Sequence, residues 1–180
     1  MRGVPPELSI ATKARLVAGA TDYATAGLPS VGLQPLRLAD GGHGIGGFRF
    51  DDSTTALCLP CGTAQAATWD PDVTYGLGTL IGSEARRLDR DVVLAPMINI
   101  PRSPLGGRTF ECYGEDPLLA GTVAAAWIRG VQSAGVAATP KHFVANDSER
   151  ARTRVDCIID ECALREIYLL PFELAARGGA

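Results

Sequence analysis

The chain has 180 residues, of which 46% are hydrophobic, and its 17 basic and 20 acidic residues leave a formal net charge of −3. This balance is typical of one globular unit and excludes a chain built around a basic surface for nucleic acid or anionic membranes. No apolar run approaches the roughly 20 residues of a membrane span, and the first residues lack the apolar core of a signal peptide. We therefore expect a cytoplasmic protein that binds neither nucleic acid nor a membrane, or a piece whose targeting signal is absent.

In the first half of the chain, helices and strands are predicted to alternate. A helix is expected around Ser9 to Ala18, and a short strand follows at Leu36 to Ala39. Asp70-Pro71 is a typical helix start, because aspartate can cap the helix and proline suits its first turn. The helix should end near Asp89, since apolar residues recur at helical spacing up to that point, namely Val73, Leu77, Leu80, Ile81, Ala85 and Leu88.

The second half repeats this order. Val92 to Pro96 is a short continuous apolar run, which is typical of a strand covered on both faces. Asp116-Pro117 starts a helix that Gly135 should end, and Val136 to Thr139 is the next predicted strand. The buried face of this helix is predicted to contain Leu119, Val123, Ala126, Trp127, Val131 and Ala134.

A last helix is predicted from Glu161 to about Arg177, with Leu164, Ile167, Tyr168 and Phe172 on one face. Pro171 should kink or shorten it, and Gly178-Gly179 should end it. The alternation of helices and strands predicts βα units that feed a parallel sheet. A closed eight-stranded barrel typically needs about 250 residues. We therefore expect about half a barrel, whose last strand has an unpaired edge.

Polar clusters follow three of the predicted strands, at Asp40, at Arg102 to Arg108 and at Lys141-His142. Because active-site residues of parallel barrels lie at the carboxyl ends of the strands, these clusters should converge on one rim. A carboxylate, a guanidinium, an ammonium and an imidazole suit a sugar, since charged hydrogen bonds to hydroxyls contribute about 1.5 to 3 kcal/mol each.

Together, Asp40 to Gly44, Ile100 to Glu111 and Lys141 to Asp147 resemble the N-terminal barrel of family 3 glycoside hydrolases, the β-glucosidase group. The resemblance extends from about Lys13 to Ala180. It implies an α/β fold, a partial (β/α)8 TIM-type barrel in which residues 1–180 form the N-terminal half. It also implies that four residues hold a β-linked sugar at the subsite where its glycosidic bond is cut, namely Asp40, Arg108, Lys141 and His142.

The resemblance further implies hydrolysis of terminal non-reducing β-linked sugars by a retaining mechanism, without a metal or cofactor. Retaining glycosidases need a nucleophilic carboxylate and a second carboxylate as acid/base. In the family the nucleophile is the aspartate of a Ser-Asp-Trp type motif, which does not occur here. The chain is thus expected to carry sugar-holding residues without either catalytic carboxylate, and to be inactive alone. Xylosidase and arabinosidase activities stay open.

Several residues have weaker or alternative interpretations. Glu111 could pair with Arg108 or Lys141 and hold it in place. The weaker candidates are Arg102, Asn146, Asp147 and Glu149, and the stretch from Asn146 to Arg154 reads as a polar loop that closes the rim. The family has an arginine where this chain has Gly46, and Arg49 is near enough in sequence to replace it. Asp40 could instead be a turn residue, Arg108 and Lys141 solvated surface residues, and His142 a core histidine.

Two short motifs suggest other chemistry. Gly42, Gly44 and Gly47 satisfy G-x-G-x-x-G, but the dinucleotide motif needs a helix directly after it, and Phe48 to Ser53 shows no helical pattern. Cys58-Leu59-Pro60-Cys61 has C-x-x-C spacing, but no second pair accompanies it, so we expect idle thiols. A rival from another functional class is a non-catalytic sugar-binding or interaction module derived from the same fold, and a fragment with no independent function is a third possibility.

Overall fold

A computed structural model describes residues 7–47 and 55–180 of the chain. The described helices are α1 (Ile10–Val17), α2 (Gly62–Ala66), α3 (Pro71–Arg87), α4 (Pro117–Ser133), α5 (Glu161–Ala163) and α6 (Leu170–Arg177). The described strands are β1 (Gly19–Thr21), β2 (Ala24–Thr25), β3 (Leu38–Asp40), β4 (Val92–Leu94) and β5 (Ala137–Ala138). Among these residues no helix is both long and apolar enough to span a membrane.

The central layer is a parallel sheet with the strand order β3, β4, β5. Helix α3 connects β3 to β4, and α4 connects β4 to β5, so the predicted βα units are confirmed. Ala39 of β3 and Val93 of β4, each the middle residue of its strand, are completely buried. Within the described residues β5 pairs only with β4. Strands β1 and β2 form a small antiparallel hairpin that the sequence analysis did not predict, because two or three residues are too few to show a period.

Helices α3 and α4 start where the sequence predicts. The side chain of Asp70 accepts hydrogen bonds from the backbone N–H groups of Asp72 and Val73, and Asp116 accepts one from Leu119. Both helices carry proline in the first turn. Gly135 follows α4 with a positive φ of 76°, which glycine adopts without strain.

The buried face of α3 differs from the prediction. Ile81 and Ala85 are completely buried as expected, but Val73 and Leu80 are 44% and 47% exposed. Gly78 and Gly82 lie on the contact face instead, and an added methyl group at Gly78 would lie 2.1 Å from the Trp127 carbonyl oxygen of α4. The helix backbones approach each other where glycine leaves room, so the apolar residues alone did not identify the contact face.

The C-terminal segment is broken, as the proline suggested. A π-helical stretch, Leu164–Tyr168, separates α5 from α6. Pro171 lies in the first turn of α6, where its missing N–H costs no hydrogen bond, and Gly178 is the C-cap. Tyr168 and Phe172 are buried as predicted, whereas Ile167 is exposed.

Candidate active site: a charged pocket at the carboxyl ends of the sheet strands

The structure brings the four predicted site residues to one concavity of about 640 Å³, which is within the usual size range of small-molecule sites. Asp40 ends β3, Arg108 lies in the loop after β4, and Lys141 and His142 follow β5. Parallel strands end at the same edge of a sheet, so their shared direction brings these side chains to one rim. Their convergence was predicted, and their role toward a sugar stays a prediction.

Asp40 is held between a cation and a phenol. Its Oδ1 lies 3.5 Å from the Lys141 ammonium, and its Oδ2 accepts a hydrogen bond of 2.7 Å from the Tyr23 hydroxyl. This hydrogen bond to the carboxylate raises the pKa of Tyr23 to about 12. The Asp40 side chain nevertheless remains 48% exposed. It can therefore accept further hydrogen bonds from a ligand.

Arg108 and Glu111 form a two-point ion pair. Nε of Arg108 donates a hydrogen bond of 2.8 Å to Oε1 of Glu111, and Nη2 donates one of 2.8 Å to Oε2. Burial by itself would raise the pKa of Glu111, but the Arg108 guanidinium lowers it below its usual value. Glu149 lies 3.6 Å from Nη1 of Arg108 and also pairs with Arg152. Of the two partners expected for Glu111, the ion pair is with Arg108, which is thereby held facing the pocket.

His142 is held from both sides of its ring. Nδ1 lies 3.3 Å from Oδ1 of Asn99, and Nε2 lies 3.1 Å from Nη1 of Arg108. Burial, together with the positive charges of Arg108 and Lys141, lowers the pKa of His142 to about 4. The imidazole is therefore neutral near pH 7.

This lowered pKa predicts a stability change in mild acid. An unfolded histidine binds its proton near pH 6.5, whereas folded His142 resists protonation until about pH 4. The unfolded state thus binds more protons in this window, so the free energy of unfolding should fall as the pH drops from about 6.5 toward 4. For one proton the slope cannot exceed about 1.4 kcal/mol per pH unit.

Urea unfolding at several pH values between about 7 and 5, above most carboxyl titrations, measures this effect. A His142→Gln variant should lack the decrease that the His43→Gln variant retains. His43 is a suitable control because it also lines the pocket. A free energy of unfolding that is constant across this range in the parent would contradict the prediction.

The weaker candidates lie beside the pocket rather than in its wall. Nε of Arg102 donates a 2.5 Å hydrogen bond to the buried carboxylate of Asp147, and the Asn146 amide donates one of 3.2 Å to Glu149. Gly46 lines the pocket, and its backbone exchanges two hydrogen bonds with Asp40. Arg49 and the stretch Phe48 to Ser53, on which the dinucleotide alternative depended, lie outside the described residues.

Sequence reasoning missed Tyr23 and Asn99. Tyr23 contacts Asp40 from the β1–β2 turn, and Asn99 contacts His142. Neither belongs to a motif whose spacing indicates a site, so only their contacts in the folded structure connect them with it. Arg152, which lines the pocket, lies in the stretch Asn146 to Arg154 that was expected to close the rim.

The cysteines contribute nothing to the pocket wall. Cys58 is exposed and Cys61 half-buried, and both are free thiols. Among residues 7–47 and 55–180 no three His, Cys, Asp or Glu side chains are grouped in a way that could hold a metal ion.

The chain matches the sequence profile of the glycosyl hydrolase family 3 N terminal domain over residues 22–179. The chain belongs to glycosyl hydrolase family 3. This family 3 chain is 48% identical over 171 residues to "Probable beta-glucosidase I" of Neosartorya fischeri, covering 95% of this chain and 20% of that protein. It is 46% identical to "Probable beta-glucosidase J" of the same fungus, again with 20% of the relative covered. The chain thus spans about a fifth of the length of these curated relatives.

Solved structures of similar proteins share the α/β fold of this family 3 chain. The β-glucosidase of Kluyveromyces marxianus in complex with glucose superposes with a TM-score of 0.91 at 41% identity, covering 96% of this chain and 21% of that one. β-Glucosidase 3B of Thermotoga neapolitana in complex with glucose has a TM-score of 0.86 at 40% identity, with coverages of 95% and 27%.

Proposed function

We propose that this chain is the N-terminal part of a β-glucosidase-like hydrolase and that its pocket holds the terminal, non-reducing β-linked sugar. One observation carries the proposal: Asp40, Arg108, Lys141 and His142 line a single concavity at the carboxyl ends of the parallel strands. It is supported by the similarity to β-glucosidases, including the two described above that were solved with glucose.

The pocket suits a polyhydroxylated ligand. The half-exposed carboxylate of Asp40 can accept hydrogen bonds from sugar hydroxyls, and Arg108 and Lys141 can donate them. Each of these groups already has a partner of opposite charge, so its position is set before a sugar enters. Such preorganisation lowers the entropy cost of binding, and contacts that strengthen as the sugar ring flattens would also lower the reaction barrier.

We further propose a retaining reaction whose two catalytic carboxylates come from outside these 180 residues. Retention requires a nucleophile and an acid/base about 5 to 5.5 Å apart. In the described pocket wall the carboxylates are those of Asp40 and Glu111, and both are engaged by cations. Because the curated relatives are about five times longer than the matched region, the proposal includes further βα units that complete a barrel. No cofactor enters the reaction.

The test compares two proteins, the 180-residue chain and the product of the longest reading frame that contains it. We expect the longer protein to hydrolyse an aryl β-glucoside with the β-anomer formed first, as NMR of the fresh product would show. The 180-residue chain should show no turnover above background.

A long protein that binds glucose without hydrolysing glucosides would favour the sugar-binding module instead. An α-anomer formed first would refute the retaining mechanism. Turnover by a contaminant-free sample of the 180-residue chain would refute the assignment of the catalytic carboxylates to other segments.

A further inference from the structure

The amide of Asn99 contacts His142 at three atoms. Asn99 lies in the loop after β4 and is only 2% exposed. Its Nδ2 donates a hydrogen bond of 2.8 Å to the His142 carbonyl oxygen, and its Oδ1 accepts one of 2.8 Å from the His142 N–H. These two backbone contacts define which end of the amide is oxygen, because a carbonyl accepts and an N–H donates. The atom 3.3 Å from the ring nitrogen Nδ1 is therefore an acceptor.

The opposite side of the ring faces a group that can only donate. Nε2 of His142 lies 3.1 Å from Nη1 of Arg108, and a guanidinium has no acceptor atom. Nε2 must therefore be the unprotonated nitrogen of the ring. The remaining ring proton is then on Nδ1, where Oδ1 of Asn99 can accept it. Both neighbours thus select the same one of the two neutral tautomers.

We propose that Asn99 is a positioning residue that holds His142 as the neutral tautomer protonated on Nδ1, so that Nε2 accepts a hydrogen bond from Arg108 and orients it toward the pocket. In this arrangement His142 serves the site as a hydrogen-bond acceptor and not as a proton donor. The tautomer is a property of the chain itself. Only the consequence for the sugar rests on the proposed function.

The charges around the ring support the neutral form. Arg108 and Lys141 face His142 as cations, while Glu111 and Glu149 face it as anions. Both anions lie against the Arg108 guanidinium, so they compensate that charge first. A second proton on the imidazole would replace its acceptor nitrogen by a donor directed at Arg108, and the contact would be lost.

The direct test is nitrogen NMR of the chain with its histidines labelled with ¹⁵N. The chain has two histidines, and a His43→Gln variant assigns the remaining signals to His142. Near pH 7 we expect a protonated Nδ1 and an unprotonated Nε2 in the parent. A protonated Nε2 would overturn the proposal whether or not any variant folds.

Two variants test the part played by Asn99. Asn99→Ala removes the acceptor at Nδ1 and both backbone contacts, so the Arg108 contact at Nε2 is left to select the tautomer and part of the proton should move to Nε2. Asn99→Asp keeps an acceptor beside Nδ1 and adds a negative charge, so it should raise the pKa of His142 and make the ring titrate at higher pH than in the parent. Gln65→Ala is the matched control, because Gln65 is another buried amide that binds two backbone carbonyls, those of Gly42 and Pro60. It should leave the His142 signals unchanged.

Unchanged His142 signals in folded Asn99→Ala, or equal changes in the Gln65→Ala control, would show that Asn99 does not select the tautomer. Loss of the partner that orients a functional histidine costs about 10- to 100-fold at metal sites. We expect a decrease of at least about 10-fold in glucose affinity for Asn99→Ala. If the tautomer behaves as stated but the parent binds no glucose, the proposed function fails while the assignment of Asn99 stands.

Discussion

Replacing Gly78 with alanine should destabilise the domain by about 3 kcal/mol or more, because the added methyl group has no free space. It would lie 2.1 Å from the Trp127 carbonyl oxygen and 2.9 Å from the carbonyl carbon. Backbone atoms of α4 cannot move singly, so the two helices would have to separate along their contact. Urea unfolding followed by circular dichroism measures the loss.

Gly76→Ala is the matched control for this prediction. Gly76 lies in the same helix and is exposed, and a methyl group there would meet no atom within 4 Å. In an exposed helix interior, alanine is more favourable than glycine by about 0.5 to 1 kcal/mol, so this variant should be more stable than the parent. A similar change in both variants would show that α3 and α4 do not approach as closely as described.

Replacing Arg108 with alanine should damage both the site and the fold around it. The Glu111 side chain, which is 17% exposed, would lose its cationic partner. Glu149, which is 16% exposed, would lose one of its two arginine partners and keep Arg152. Leaving a carboxylate largely buried without its partner typically costs about 3 kcal/mol or more. In the protein from the full reading frame, loss of the proposed charged hydrogen bond to the sugar should lower kcat/KM by about 10- to 150-fold. Lys141→Ala should lower it by a similar factor.

Arg165→Ala is the control for Arg108→Ala. Arg165 also forms an ion pair with a glutamate of the same segment, Glu161, but both side chains are about 70% exposed, so removal should change stability by less than about 0.5 kcal/mol. Steady-state kinetics and urea unfolding of the variants separate the two effects. An Arg108→Ala protein within two-fold of the parent in kcat/KM would refute the assignment of this residue to the sugar.

Local chemistry identified most of the elements that position the site. The Asp-Pro pairs at Asp70 and Asp116 placed both long helices correctly, because capping and proline geometry depend only on neighbouring residues. The apolar run from Val92 to Pro96 identified the central strand, Val92–Leu94, for a similar reason. Since parallel strands end at the same edge of a sheet, the predicted parallel βα units were sufficient to predict the convergence of Asp40, Arg108 and Lys141.

The partners of the polar side chains were decided only by the folded structure. The sequence left two partners open for Glu111, and the short turn Thr109–Glu111 brings it against Arg108. Asn99 and His142 are 43 residues apart, and only the alignment of β4 with β5 makes their amide and imidazole meet. By itself the sequence determined where the two long helices begin and which apolar run forms the central strand, because those signals are local. Which face of α3 packs, and which partner orients each charged group, depended on backbone approach and on pairing across the sheet, which no local pattern encodes.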